Sequence, residues 1–480
     1  LTDLERLTTP QAPVLEGEAE QASGLVLGYY LLNRSLIQIE RSDSIWIDQP
    51  GDSVHRFAVF IHEYLHYLHN YSTVAGITYF ITHIRLARLF INSAGADGYS
   101  RGAAALDPGD NEDYRELLAW RRHLRGDSGL PFRTDALPPG WRVRVLKARR
   151  RLATPVSFQN QRLLPEVAEL DLQVESPGTL PAPATIVLGY VILTEGLAVE
   201  MEKLVHREAG RDEGVVDCTV PAFPYHVSRV AFEAITGHRP TSELLIKVCL
   251  LALQSADCGA TFVELAEVYR DRPSHQTDDA FIETQTSNGI GYLAARIDKM
   301  FEIMVDPELD NFKSRGLLGE AIAYHKEQCR QYMQRRTKDP FFELALPAMV
   351  RGSGEELKNF FEESPPCIVR HTAAPGELSE LFYLGTKERD GRHLQAMGTF
   401  QAFSQYLSFH LATSGLLPTP RVRSVAKDTS CFFFGGCAVP FALSHSATCA
   451  TTPWESFAAQ PGQGCWFASG VAATRGPAVA

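Results

Sequence analysis

Positive charge is in short supply in this sequence. Lys and Arg number 46 against 57 Asp and Glu, a formal net charge of −11. A ligand held by phosphate neutralisation needs a basic surface, so nucleic acid is not expected as a partner. Long hydrophobic runs are missing too. Thr185–Leu193 and Leu244–Leu253 are too short or too interrupted to span a bilayer, so no membrane partner is expected. The chain opens Leu1-Thr2-Asp3-Leu4-Glu5, without a basic segment leading into an apolar one, and no secretory signal is read. The nine cysteines lack the spacing of a disulfide scaffold, which points to a reducing compartment and a cytoplasmic protein. No G-x-G-x-x-G opens a helix, so a phosphate-cradling loop is set aside.

What is present is an ordinary globular composition, 45% hydrophobic and 21% charged over 480 residues, enough to bury a sizeable core. The pattern reads as an α+β protein, predominantly helical. Residues 1–20 form a polar arm. A core follows over 21–270, interrupted by an insertion at about 94–180. Within it "GLVLGYYLL", "SLIQIE" and "SIWID" read as strands of a small N-terminal sheet, and Gln49-Pro50-Gly51-Asp52 as the turn before a helix capped by Asp52 or Ser53. That helix breaks near Asn70–Thr73, and a second carries Val74–Ile91. The insertion holds a short helix near Asp113–Leu124 and two strand-like pieces, "WRVRVLKARRRL" and "VAELDLQVE". The stretch "ATIVLGYVILTEGLAVEMEKLVHREAG" reads as one long helix ending at Gly210. Residues 271–420 read as a helical domain, and 421–480 as an irregular tail rich in Cys, Gly and Ala.

The chemistry sits in "FAVFIHEYLHYLHNYS", Phe57–Ser72, where three histidines and a glutamate interrupt an apolar helix. Burying such groups unsatisfied costs on the order of a few kcal/mol each. On a helix, His62 and His66 lie one turn apart on one face, where their ring nitrogens converge on one small cation. Glu63 stands about 100° round, in reach of a water on that cation without being a ligand. His69 is about 10 Å along the axis from His62, too far to share the ion, and is read as packing at the helix end or as a second-shell or substrate contact.

A catalytic zinc needs a third protein ligand and an open position. A metzincin continuation requires Gly and His at 69 and 72; the chain has His69 and Ser72, which excludes it. "LTEGLAVEMEKL" supplies a glutamate on a later helix instead. The H-E-x-x-H of residues 62–66 together with the E-G-x-A of residues 195–198 resembles the gluzincin-type, zincin-like zinc metallopeptidases. The gap from His66 to Glu195 is 129 residues, and Thr194 stands where many members carry Asn. The resemblance implies a zincin-like catalytic core, one catalytic zinc on His62, His66 and Glu195, and Glu63 as general base. It implies hydrolysis of a peptide or protein substrate, with an endopeptidase preferred because no motif marks a pocket for a free amine. A non-hydrolytic zincin scaffold that binds a regulatory or effector partner protein is the alternative.

A donor for the oxyanion is sought about thirty residues beyond Glu195, where Tyr225, His226 and Arg229 open a helix. Tyr225 comes first among them, with His226 as a second-shell or substrate contact. Glu200 and Glu202 are both candidates to orient a metal histidine: Glu200 points away from the Glu195 face, and Glu202 returns to it two turns on. In the tail, Cys431, Cys437, Cys449 and Cys465 are spaced C-x5-C-x11-C-x15-C, without the tight knuckles of a zinc module. They read as free or packed cysteines, with a second, structural zinc as the alternative. The basic run from Arg142 to Arg151 reads as a solvated strand face.

Overall fold

A computed structural model describes residues 28–31, 36–40, 53–126, 142–153, 155–158, 161–175, 182–295, 297–352, 356, 359–360, 364, 367–372, 379–384, 391–425, 429–437, 444–456 and 465–475. The expected arm at 1–20, the strand "SIWID" and the turn at 49–52 lie outside them.

Strands β1 (Gly28–Leu31) and β2 (Leu36–Glu40) lead into α1 (Ser53–Ser72) and α2 (Val74–Asn92). Thr73 separates the helices and caps the second, its hydroxyl accepting from the Gly76 amide at 3.0 Å. Both helices are buried all round, as suits central elements of a large core. Helix α2 is long and apolar enough to cross a membrane, which the reading of apolar runs overlooked; 89% of its most apolar window is buried within the protein.

Helix α3 (Pro108–Arg125) follows, longer than the Asp113–Leu124 expected. A three-stranded antiparallel sheet comes next, β3 (Arg142–Leu152), β6 (Glu166–Glu175) and β7 (Ala182–Leu188), with the hairpin β4 (Val156–Phe158) and β5 (Gln161–Leu163) between its first two strands. The basic run lies on β3, whose Arg149 and Arg151 pair with Glu169, and Arg149 also with Asp171, along β6. The single long helix read over 184–210 is corrected here. Its first part, with the β-branched Thr185-Ile186-Val187, is β7, paired with β6 from Ala182↔Val174 to Leu188↔Ala168, and α4 (Tyr190–Glu208) begins after Gly189.

Helices α5 (Gly214–Thr219), α6 (Val227–Thr236), α7 (Ser242–Ala252), α8 (Cys258–Arg270), α9 (Asp278–Ala294), α10 (Ile297–Met300), α11 (Asp306–Asp310) and α12 (Leu317–Lys338) then succeed one another. The stretch read as a helical domain, 271–420, also carries a hairpin, β8 (Cys367–Thr372) and β9 (Ser379–Leu384), and β8 runs parallel to β2 in the sheet order β1-β2-β8-β9. The small N-terminal sheet is thus completed from the far end of the chain. Two short strands alone are marginal, and the apolar Cys367, Ile368 and Val369 give β2 a buried neighbour. Helix α13 (Gly391–Ser408) packs against α12, and the tail contributes α14 (Thr419–Val425), α15 (Ser446–Thr451) and α16 (Trp466–Thr474).

One buried apolar cluster runs from Ile37 through α1 and α12 to Val471, without a break at 270. The architecture is predominantly helical with small sheets.

Candidate metal centre

Helices α1 and α4 lie antiparallel. His55 meets His206 at one end, His66 faces Glu195, and the Tyr190 hydroxyl donates to Asn70 Oδ1 at 2.8 Å at the other end. This pairing carries Glu195 across the 129 intervening residues to the paired imidazoles. His62 Nε2 is 3.0 Å and His66 Nε2 3.3 Å from Glu195 Oε2, and the two rings stand 5.0 Å apart, edge to face. Ligands about 2.0–2.1 Å from a tetrahedral zinc stand about 3.3 Å from one another. One donor atom from each of His62, His66 and Glu195 falls within 4.8 Å of the others, and these three form the one such group among the described residues. Two imidazole nitrogens and one carboxylate oxygen are the donors of a catalytic zinc, and they fit the ion the sequence implies.

The surroundings bias these groups for a cation. His62 Nδ1 lies 2.5 Å from Glu202 Oε1, where a carboxylate can only accept, so Nδ1 carries a hydrogen and Nε2 is the nitrogen that would turn its lone pair to a bound ion. Glu202 is the orienting partner that the sequence left undecided between 200 and 202. A two-turn separation on α4 is bridged because the imidazole itself reaches between Glu195 and Glu202. Burial alone would lower the His62 pKa, but the hydrogen bonds to Glu195 and Glu202 carry it well above its ordinary value. Burial opposes ionisation of Glu195 as well, and the two histidines overcome it and hold its carboxyl far below the usual range. The Glu195 side chain keeps 21% of its surface exposed while the His62 and His66 side chains keep 7%, so the site opens on the glutamate side.

Glu63 is 6% exposed beside them. Burial pushes its carboxyl up to about 7, against the pull of His62 and His66. Tyr225 brings its ring edge-on to His62 at 5.8 Å, and burial followed by the charges of Glu195, Glu63 and Glu202 raises its phenol well above the ordinary value, so it remains a hydrogen donor. Gly196 makes this approach feasible: a Cβ there would lie 1.9 Å from Ser228 Oγ and 3.5 Å from the Tyr225 carbonyl oxygen, so the glycine of E-G-x-A lets α6 and the turn before it settle on α4.

The remaining candidates go elsewhere. His69 is fully buried with Nε2 3.6 Å from Glu343, which Arg336 grips with two guanidinium nitrogens. His226 turns Nδ1 toward Asp217 at 3.8 Å. Arg229 is taken by Glu200, which also accepts from Lys203 at 3.1 Å and Ser242 at 2.7 Å. Glu200 therefore locks α4 to α6 and α7 and takes no part in the centre. The four tail cysteines, scattered in sequence, line one cavity.

Comparison with protein-family models, with curated proteins and with solved structures finds no match to this chain.

Proposed function

We propose that this chain is a zinc-dependent metallopeptidase of gluzincin type, acting on peptide or protein substrates in the cytoplasm as an endopeptidase. The observation that carries the reading is the meeting of His62, His66 and Glu195 in one buried group with Glu63 beside it. A zinc ion held there supplies a Lewis acid for the scissile carbonyl and a water acidic enough to attack it near neutral pH. Glu63 accepts that water's proton on its carboxylate and returns it to the leaving amine. The Tyr225 hydroxyl donates to the carbonyl oxygen as charge builds on it. Glu202 holds the His62 ring in orientation and tautomer. The order H-E-x-x-H, then E-G-x-A, on two antiparallel helices supports a zincin-like core.

Zinc content and peptide turnover of the wild type and Glu63→Gln test the proposal. The variant is expected to keep its zinc on nitrogen and oxygen ligands and to lose turnover by about 10²–10⁴-fold. Equal turnover in both proteins overturns the assignment of Glu63. A wild type that binds zinc and cleaves no peptide in a diverse library leaves the non-hydrolytic scaffold as the reading.

A further inference from the structure

Four of the nine cysteines, from three separate stretches of the tail, surround a single cavity of about 20 Å³, room for one water-sized occupant. Cys431 and Cys449 are buried, and Cys437 and Cys465 are half-buried. The rest of the lining, Phe433 and Trp466 included, brings no charged side chain to the cavity. None of the four is in a disulfide. The Cys431 amide donates to the Cys449 carbonyl at 2.7 Å, fastening two of these stretches together, and Cys465 sits at the N-terminus of α16. The other buried cysteines differ. Cys249, Cys258 and Cys329 lie within helices of the main core and behave as small apolar side chains.

We propose that Cys431, Cys437, Cys449 and Cys465 together bind a thiophilic metal centre, separate from the histidine–glutamate site, that fastens the tail to α13. Four thiols converge on one small cavity, the donor set and number that a thiophilic metal takes. Thiolates about 2.3 Å from a tetrahedral zinc stand about 3.8 Å apart. No three of these sulfurs lie within 4.8 Å of one another, so a single ion draws them inward by side-chain rotation, whereas an iron–sulfur cluster holds its thiolates further apart. Both share the same ligand chemistry. The anchoring follows from the packing around the cavity: a Cβ at Gly398 of α13 would fall 2.3 Å from the Trp466 ring, and one at Gly470 2.9 Å from the Phe403 amide. Helices α13 and α16 are therefore in close contact, and Trp466 of α16 also lines the cavity of the thiols.

The full chain, purified with reductant and without added chelator, tests this independently of activity. Zinc, iron and acid-labile sulfide per chain are measured in wild type, Cys449→Ser and Cys437→Ser, together with X-ray absorption at the metal edge and native thiol titration. The wild type is expected to carry metal with sulfur neighbours at about 2.3 Å, and each variant to lose that sulfur-bound fraction while keeping the metal on nitrogen and oxygen. Zinc without sulfide identifies a single ion, and iron with equimolar sulfide identifies a cluster; either supports the proposal. Chelation should expose thiols to titration that the metal shielded. Absorption without sulfur ligation, or recovery of these cysteines as disulfides from unreduced protein, overturns it. Both readouts are made on wild type, so they decide the matter even where a variant does not fold.

Discussion

Helix α1 buries histidines beside carboxylates in two places, His62 and His66 next to Glu195, with Glu202 also on His62, and His69 next to Glu343. In the second place the charges close. Arg336 donates through Nη1 and Nη2 to both oxygens of Glu343, while Nε donates to the Ser72 carbonyl at 3.1 Å and Nη2 also to the Ser72 hydroxyl at 2.7 Å. Burial opposes ionisation of Glu343, yet Arg336 and His69 hold its carboxyl down at about 2. In the first place three carboxylates, Glu63, Glu195 and Glu202, gather around two imidazoles, and among the described residues no Arg or Lys pairs with them. Negative groups buried together without a cation are costly. One cluster is a completed structural ion pair; the other has no such cation among the described residues, which supports the zinc proposed there. Histidine beside glutamate in a buried helix does not on its own argue for a metal.

The largest expected effect separates the carboxylates by function. Glu63→Gln should lower peptide turnover by about 10²–10⁴-fold while unfolding at an unchanged denaturant midpoint. The structural glutamate should behave in the opposite way. Arg336→Met leaves Glu343 buried and unpaired, and a loss of about 3–5 kcal/mol in urea unfolding is expected, with metal per folded chain unchanged. Replacing both members, Arg336→Met with Glu343→Leu, should recover most of that loss, because the uncompensated charge is gone. If Arg336→Met instead depletes the metal, the two clusters are coupled and the contrast fails.

The next effect lies within the metal centre. Glu202→Gln keeps a hydrogen-bonding group near His62 Nδ1 but loses the charge that makes the ring a better donor. Metal affinity should fall by about 10–100-fold, read by chelator competition. Glu200→Gln, two residues earlier on the same helix, should leave affinity unchanged and lower stability instead, since Glu200 serves Arg229, Lys203 and Ser242. Equal loss of affinity in both variants would remove the distinction between the two glutamates.

These contrasts also mark what was legible beforehand. His62, Glu63 and His66 were readable because helical periodicity is local, and Glu195 because a short motif labels it. The start of the helix that carries Glu195 is not legible locally: an apolar run of 184–189 satisfies strand and helix alike, and only pairing with β6 decides it. Glu202 over Glu200 was not decidable, because the choice depends on the antiparallel setting of α1 on α4. The meeting of β2 with β8 joins residues more than three hundred apart, beyond any local signal. The convergence of the tail cysteines is of the same kind, since their spacing follows no module and the fold alone assembles them.

A buried histidine outside both clusters provides the control for them. The His325 ring is stacked on Phe80 at 3.9 Å and on Tyr71 at 4.2 Å, and among the described residues neither ring nitrogen has a hydrogen-bond partner. Burial lowers its pKa to about 3. The unfolded chain protonates this residue below about pH 6.5, whereas the native chain does not until the far lower folded value. Its contribution to stability is thus complete above pH 6.5 and is lost as pH falls from there towards 3, at up to about 1.4 kcal/mol per pH unit for the one proton. His325→Phe places a ring of similar shape between the same aromatic neighbours and removes that proton. Urea unfolding of both proteins at several values between pH 4 and 6.5 should show the variant's stability falling less steeply by about that slope. Parallel curves would mean that His325 finds a charged-state partner in the native protein, and that burial without a counter-charge is not what distinguishes it from His62.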